Sequence, residues 1–174
     1  MSYDTPAEYQ GLRATIRERG TIRVCTVLAG LIALVAAIIA LRAAQLDGAI
    51  ALLPLLLLAA TFEINFFMHT SVERIGRYIQ VFYEERAGTR GWETAAMNYG
   101  AKFPSGLDPL FSSIFAAAAA LNFLTTLPIA REPGWLVLLL AGHGAFAYRI
   151  VSAKKLAAAQ RAVDLERFRS LLSK

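Results

Sequence analysis

Six side chains in this chain of 174 residues set a charged, amide or imidazole group inside stretches that are mostly apolar: Glu63, Asn65, His69, Asn122, His143 and Arg149. A polar or ionisable group in apolar surroundings is costly to keep, which makes each of them a candidate for chemistry. A carboxylate such as Glu63 in a membrane helix is the kind of group that carries a proton or a cation in small exporters. The plainer reading is an ion pair between Glu63 and Arg149 that fixes how two helices sit against each other. Asn122 and His143 are placed to join neighbouring helices by a hydrogen bond. His69 and Glu73 stand four apart and share a helix face. With Glu63, Asn65 and Arg149 they are the only material for an enzyme acting on lipid, and they match no reaction class.

Other chemistries lack their parts. Cys25 is the single cysteine, so neither a disulfide framework nor a cysteine-rich zinc site is available. No cluster of histidines and carboxylates has metal-ligand spacing. A haem between two histidines needs both at one depth. At about 1.5 Å per residue, His69 lies about 30 Å and His143 about 13 Å from the outer ends of their segments. The Gly142-His143-Gly144 run lies inside an apolar stretch and is no phosphate loop. Ser112 and Ser113 have only remote bases. The expectation is no catalytic residue, no cofactor and no metal. A basic composition invites a nucleic-acid reading, but no motif supports it and membrane sidedness explains most of the charge.

The elements that position these residues follow from composition and pattern. The chain is 56% hydrophobic and 18% charged, with mean hydropathy +0.47. Soluble domains are nearer about 45–50% apolar and about 25% charged. Four apolar stretches predict four transmembrane helices, at 24–41, 49–69, 109–130 and 135–151. The first resembles a signal peptide in position only: its long leader, which carries Asp4, Glu8 and Glu18, and its long apolar run mark a retained helix. Short connections at 42–48 and 131–134 carry the Gly, Pro and Asp of tight turns, so the spans form two antiparallel hairpins. The fold class is an all-α integral membrane protein with amphipathic cytoplasmic helices.

Sixteen of the eighteen Lys and Arg residues fall in the N-terminal, central and C-terminal segments, and only Arg42 and Arg131 in the hairpins. Both termini are therefore expected on the cytoplasmic side, in a bacterial-type cytoplasmic membrane. Residues 1–22 read as an amphipathic helix, opened by a Thr5-Pro6-Ala7-Glu8 capping box. The second span continues as a helix to about 86, with Val72, Ile75, Ile79 and Phe82 as its apolar stripe and the charged residues as polar faces. Residues 87–108 read as an interfacial loop, with Asp108 capping the third span. Residues 152–174 form a helix continuous with the fourth span. Counted from Arg149 at the end of the fourth span, this C-terminal segment holds seven basic and two acidic residues and so carries the +5 net charge, which is expected against anionic headgroups.

Depth counting then pairs the polar groups. Glu63 and Arg149 lie about 21 and about 22 Å from the outer ends of their spans, and Asn122 and His143 about 12 and about 13 Å. Small residues, among them Gly30, Ala116, Ala120 and Gly142, allow close helix approach. The function expected first is a non-enzymatic assembly protein that meets a second copy or a protein partner through its cytoplasmic helices. A small transporter or channel using Glu63 comes second, and a lipid-acting enzyme third.

Overall fold

A computed structural model of the chain describes residues 6–46, 48–102, 109–129 and 132–172. Every regular element among them is helical. Helix α1 is Pro6–Ala43. Helix α2 is Leu53–Ile79, led in by a 3-10 turn at Gly48–Leu52 and continued by a π-helical turn at Gln80–Glu85. Helix α3 is Trp92–Lys102, and α4 is Pro109–Thr126 with a 3-10 turn at Leu127–Ile129. Helix α5 is Pro133–Leu172. Three helices are long and apolar enough to cross a membrane: α1 with 38 residues, the continuous Gly48–Glu85 with 38, and α5 with 40. The apolar helix Ser112–Thr126 within α4 is shorter than these.

Two stretches differ from the sequence reading. The amphipathic segment 1–22 and the first span are one helix over their described residues, because no proline interrupts 7–43 and a lone glycine such as Gly20 costs only about 1 kcal/mol in a helix. The stretch 87–108, read as an interfacial loop, contains α3. Its first turn is held by a side chain from another element, which local pattern does not reveal. The Thr5 cap, Asp47, the loop at 103–108 with its Asp108 cap, and the hairpin residue Arg131 lie outside the described residues.

The chain divides into two compact units. An apolar unit comprises Val24–Phe66 and Pro109–Lys154, and a polar unit comprises residues 1–23, 67–108 and 155–174. Phe62 is fully buried at the centre of the apolar unit. Its ring meets Phe115 edge-on at 5.1 Å and Phe146 edge-on at 5.7 Å. These are the offset and perpendicular arrangements that ring quadrupoles favour. Leu34 of α1, Leu55 and Leu58 of α2, Ala118 and Ala119 of α4 and Ile150 and Ala153 of α5 close around them. Gly30 lets α1 approach α2 closely, since a Cβ there would collide with the Thr61 side chain.

The polar unit packs on aromatic rings instead. Tyr78 touches Phe82 at 4.7 Å and Phe168 at 5.6 Å, and Tyr9 meets Tyr83 at 5.4 Å. The Tyr78 hydroxyl donates to Glu8 Oε1 at 2.9 Å, which ties α1 to α2. Phe168 thus anchors the last turns of α5, the stretch that shows only weak apolar patches in sequence.

Helix α1 ends in a Schellman arrangement. The Leu46 N–H donates to the Leu41 carbonyl and the Gln45 N–H to the Arg42 carbonyl, each at 3.2 Å. That places Gln45 at φ 52°, where glycine is the usual residue. Gln45→Gly is expected to raise stability by about 1 kcal/mol by relieving the left-handed conformation. The check is the unfolding midpoint of the detergent-solubilised protein, which should rise.

Candidate functional site

In the apolar unit the polar residues close onto one another. Arg149 Nε lies 2.7 Å from Glu63 Oε1, and its Nη2 donates to Oε2 at 2.8 Å. The guanidinium also lies 4.7 Å from the Phe66 ring and 5.7 Å from the Phe62 ring. A planar cation suits both roles, a fork for the carboxylate and a face for the rings. The pair is not sealed in: the Glu63 side chain is 49% exposed and Arg149 30%. Asn122, fully buried, stands 3.2 Å from His143 Nε2, through its Nδ2. His143 Nδ1 lies 2.8 Å from the Leu139 carbonyl, which can only accept. The proton therefore sits on Nδ1, and Nε2 receives the Asn122 amide N–H. Asn65 is buried, and its Oδ1 has no hydrogen-bond partner among the described residues.

His69 belongs to the polar unit, where Arg23 Nη1 lies 3.3 Å from its Nδ1. A guanidinium only donates, so that nitrogen accepts. Four of the six candidates therefore form two pairs, Glu63 with Arg149 and Asn122 with His143. Asn65 and His69 join neither.

The larger polar constellation lies elsewhere. In the polar unit a cavity of about 270 Å³ is lined by Arg13, Glu73, Arg77, Glu93 and Arg161, with Trp92 beside them. Glu93, in the first turn of α3, accepts from Arg13 Nη1 of α1 at 2.8 Å and pairs with Arg77 Nη2 of α2 at 3.4 Å. Arg161 of α5 stands 2.6 Å from Glu73 of α2. Gly76 makes room for the Glu93 carboxylate, since a Cβ there would lie 2.7 Å from Oε2. Glu84 in turn caps α3. Its Oε1 accepts the Glu93 N–H at 2.9 Å, and its Oε2 the Thr94 N–H at 2.7 Å. The negative carboxylate also answers the positive end of the helix dipole.

Arg77 is only 4% exposed. Its Nη1 donates to Gln80 Oε1 at 2.6 Å, while its Nε has no acceptor among the described residues. Gln80 passes the chain on to Glu85 at 3.0 Å, and Arg169 grips the Glu85 carboxylate with two bonds of 2.6 and 3.0 Å. Burial pushes the Glu93 carboxyl above the ordinary value of 4.5, against the opposing pull of Arg13 and Arg77. Burial likewise lowers Arg77 from its usual range. The Arg169 hydrogen bond holds Glu85 below 4.5.

The sequence pattern places Glu73, Arg77, Glu84 and Glu85 on the polar faces of the helix that continues the second span, and makes no prediction for Glu93. A signal was present: Glu73, Arg77, Gln80 and Glu84 recur at spacings of four, three and four, a polar stripe as regular as an apolar one. Among the described residues, no three His, Cys, Asp or Glu side chains gather as metal ligands. No protein-family model, curated protein or solved structure matches the chain.

The two shifted carboxyls act in separate pH windows. Glu93 has a raised folded value, so its contribution to stability is complete below 4.5 and is lost as pH rises through the folded value. Glu85 has a lowered one, so its contribution is present above 4.5 and is lost on acidification through the folded value. Unfolding midpoints across pH are expected to show a decline above 4.5 that is absent in Glu93→Gln, with the acid-side loss retained. In the apolar unit, Arg149→Met is expected to destabilise more than the double change Glu63→Met with Arg149→Met. The single variant leaves a carboxylate without its partner, and unfolding midpoints compare the two.

Proposed function

We propose that this chain is an integral membrane protein with four spans, whose work is assembly rather than catalysis and whose polar unit is cytoplasmic. The observation that carries the reading is an inverted surface. In the most apolar 18-residue windows of α1 and α5, only 17% and 22% of residues are buried within the molecule. A soluble helix this apolar would turn those residues inward. Here Leu28, Ile32 and Ile39 of α1 and Val137 and Leu140 of α5 face outward. Lipid is the surrounding that such a surface suits.

The fourth span falls to α4. Its 18 residues extend about 27 Å, close to the hydrocarbon thickness of about 30 Å, and the turn at Leu127–Ile129 adds to it. The asymmetry of Lys and Arg supports both termini on the inner side of a bacterial-type cytoplasmic membrane. The basic tail of α5 then faces anionic headgroups. Glu63 is gripped bidentately by Arg149, which supports a role in fixing α2 against α5 over a role in carrying ions. The polar unit, with exposed Leu156, Val163 and Leu171 on α5, is the part available to a second copy or a protein partner.

Two measurements test this. In a Cys25→Ser background, a cysteine at Gln45 should react with an impermeant reagent from outside intact cells. Cysteines at Asn98 and Ser170 should react only after the inner face is opened. In liposomes the wild type and Glu63→Gln should both leave ion permeability at the level of empty vesicles. A flux that Glu63→Gln abolishes would overturn the assembly reading in favour of transport.

A further inference from the structure

We infer that the cavity of the polar unit is a binding site for a small oxyanion, a phosphate or a carboxylate, carried on a flat apolar group. The inference rests on the geometry of that unit alone and stands whether or not the membrane reading does. Three guanidiniums, from Arg13, Arg77 and Arg161, line one cavity with two carboxylates, Glu73 and Glu93. The lining therefore carries an excess of positive charge. Arginine is the side chain best shaped to take two oxygens of a phosphate or carboxylate at once.

The protein leaves part of this capacity unused. Arg77 is buried, and its Nε N–H lacks an acceptor among the described residues. A buried donor without a partner is costly, so native structures rarely keep one without a reason. An oxyanion among the three arginines supplies the acceptor once the Arg77 side chain turns toward it. The rest of the lining is apolar. Trp92, 69% exposed, lines the cavity with its indole beside Ile16, Val72, Ala96 and Met97. The volume of about 270 Å³ lies just under the range of about 300–1,000 Å³ for typical ligand pockets, which limits the occupant to a small molecule or one head group.

The ligand has to compete with Glu93, because that carboxylate already occupies Arg13 and Arg77. Removing its charge without changing its shape should therefore tighten binding. Adventitious binding to the basic tail would not respond in this way.

The experiment uses the full chain in an uncharged detergent with Trp135→Phe, which leaves Trp92 as the sole tryptophan of the two. Its fluorescence is followed on titration with phenyl phosphate, benzoate, inorganic phosphate and phenol. The expected result is a saturable change with phenyl phosphate and benzoate, a weaker one with inorganic phosphate, and none with phenol. Arg161→Gln should weaken binding by about tenfold, the loss of one charge-assisted hydrogen bond. Ala96→Phe should abolish it by filling the cavity, and Glu93→Gln should tighten it. In nanodiscs, displacement of phenyl phosphate by phosphatidic acid identifies a lipid head group as the source of the oxyanion, and indifference to that lipid identifies a free solute. No saturable change in a protein with a cooperative unfolding transition overturns the inference. So does binding that Arg161→Gln and Glu93→Gln leave unaltered. Those two variants decide the matter even if Ala96→Phe fails to fold.

Discussion

The Glu93 carboxylate is the point on which the polar unit depends. It stands in the first turn of α3 and reaches Arg13 of α1 and Arg77 of α2 together, so one side chain gathers three helices. Taking it out of water disfavours its charge, and the two arginines only partly offset that penalty. Everything near it adjusts to this tension. Gly76 clears the space beside it, and Glu84 holds the start of α3 so that it points the right way. Arg77, drawn inward as its partner, takes a second acceptor in Gln80 and stays short of a third. A buried ion pair of this kind adds little net stability, and its value lies in specifying one arrangement of helices.

The apolar unit meets the same constraint with fewer charges. Arg149 divides its needs between a carboxylate and two aromatic faces, which lets a cation sit against Phe62 and Phe66 at the edge of the core. Asn122 and His143 join through one amide-to-imidazole hydrogen bond, while the buried Asn122 Oδ1 has no partner among the described residues. The packing of Phe62 between Phe115 and Phe146 then holds α2, α4 and α5 in one register, and that register is what brings the polar pairs into contact.

The contrast between the units explains what could be read beforehand. A helix rises by a fixed step, so counting residues from the ends of α2, α4 and α5 was enough to put Glu63 level with Arg149 and Asn122 level with His143. The continuation of α2 and α5 past their apolar stretches was legible too, because nothing in either sequence breaks a helix. The charged cavity was not. Glu73, Arg77 and Glu84 look like any solvated face until α3 is laid over them, and α3 was hidden because its cap comes from Glu84, eight residues before Trp92. Burial of charge is a tertiary fact with a weak local trace. The regular spacing of that stripe was the trace.

The turn at Gln80–Glu85 bears on how this chain can vary. The Arg86 N–H reaches back five residues to the Val81 carbonyl, so one more residue fits here than an ordinary helix would hold. A chain lacking one residue in this turn would close into the regular ladder. Every side chain beyond the missing residue would then swing around the axis by about 100°. The capping carboxylate would leave the start of α3, and Glu85 would leave Arg169. The turn thus acts as a phase adjuster. Within the polar unit it lets Glu73 and Arg77 face the cavity while Glu84 caps α3 and Glu85 meets Arg169. Insertions and deletions should be least tolerated at this point of the molecule, although no residue of the turn itself lines the cavity.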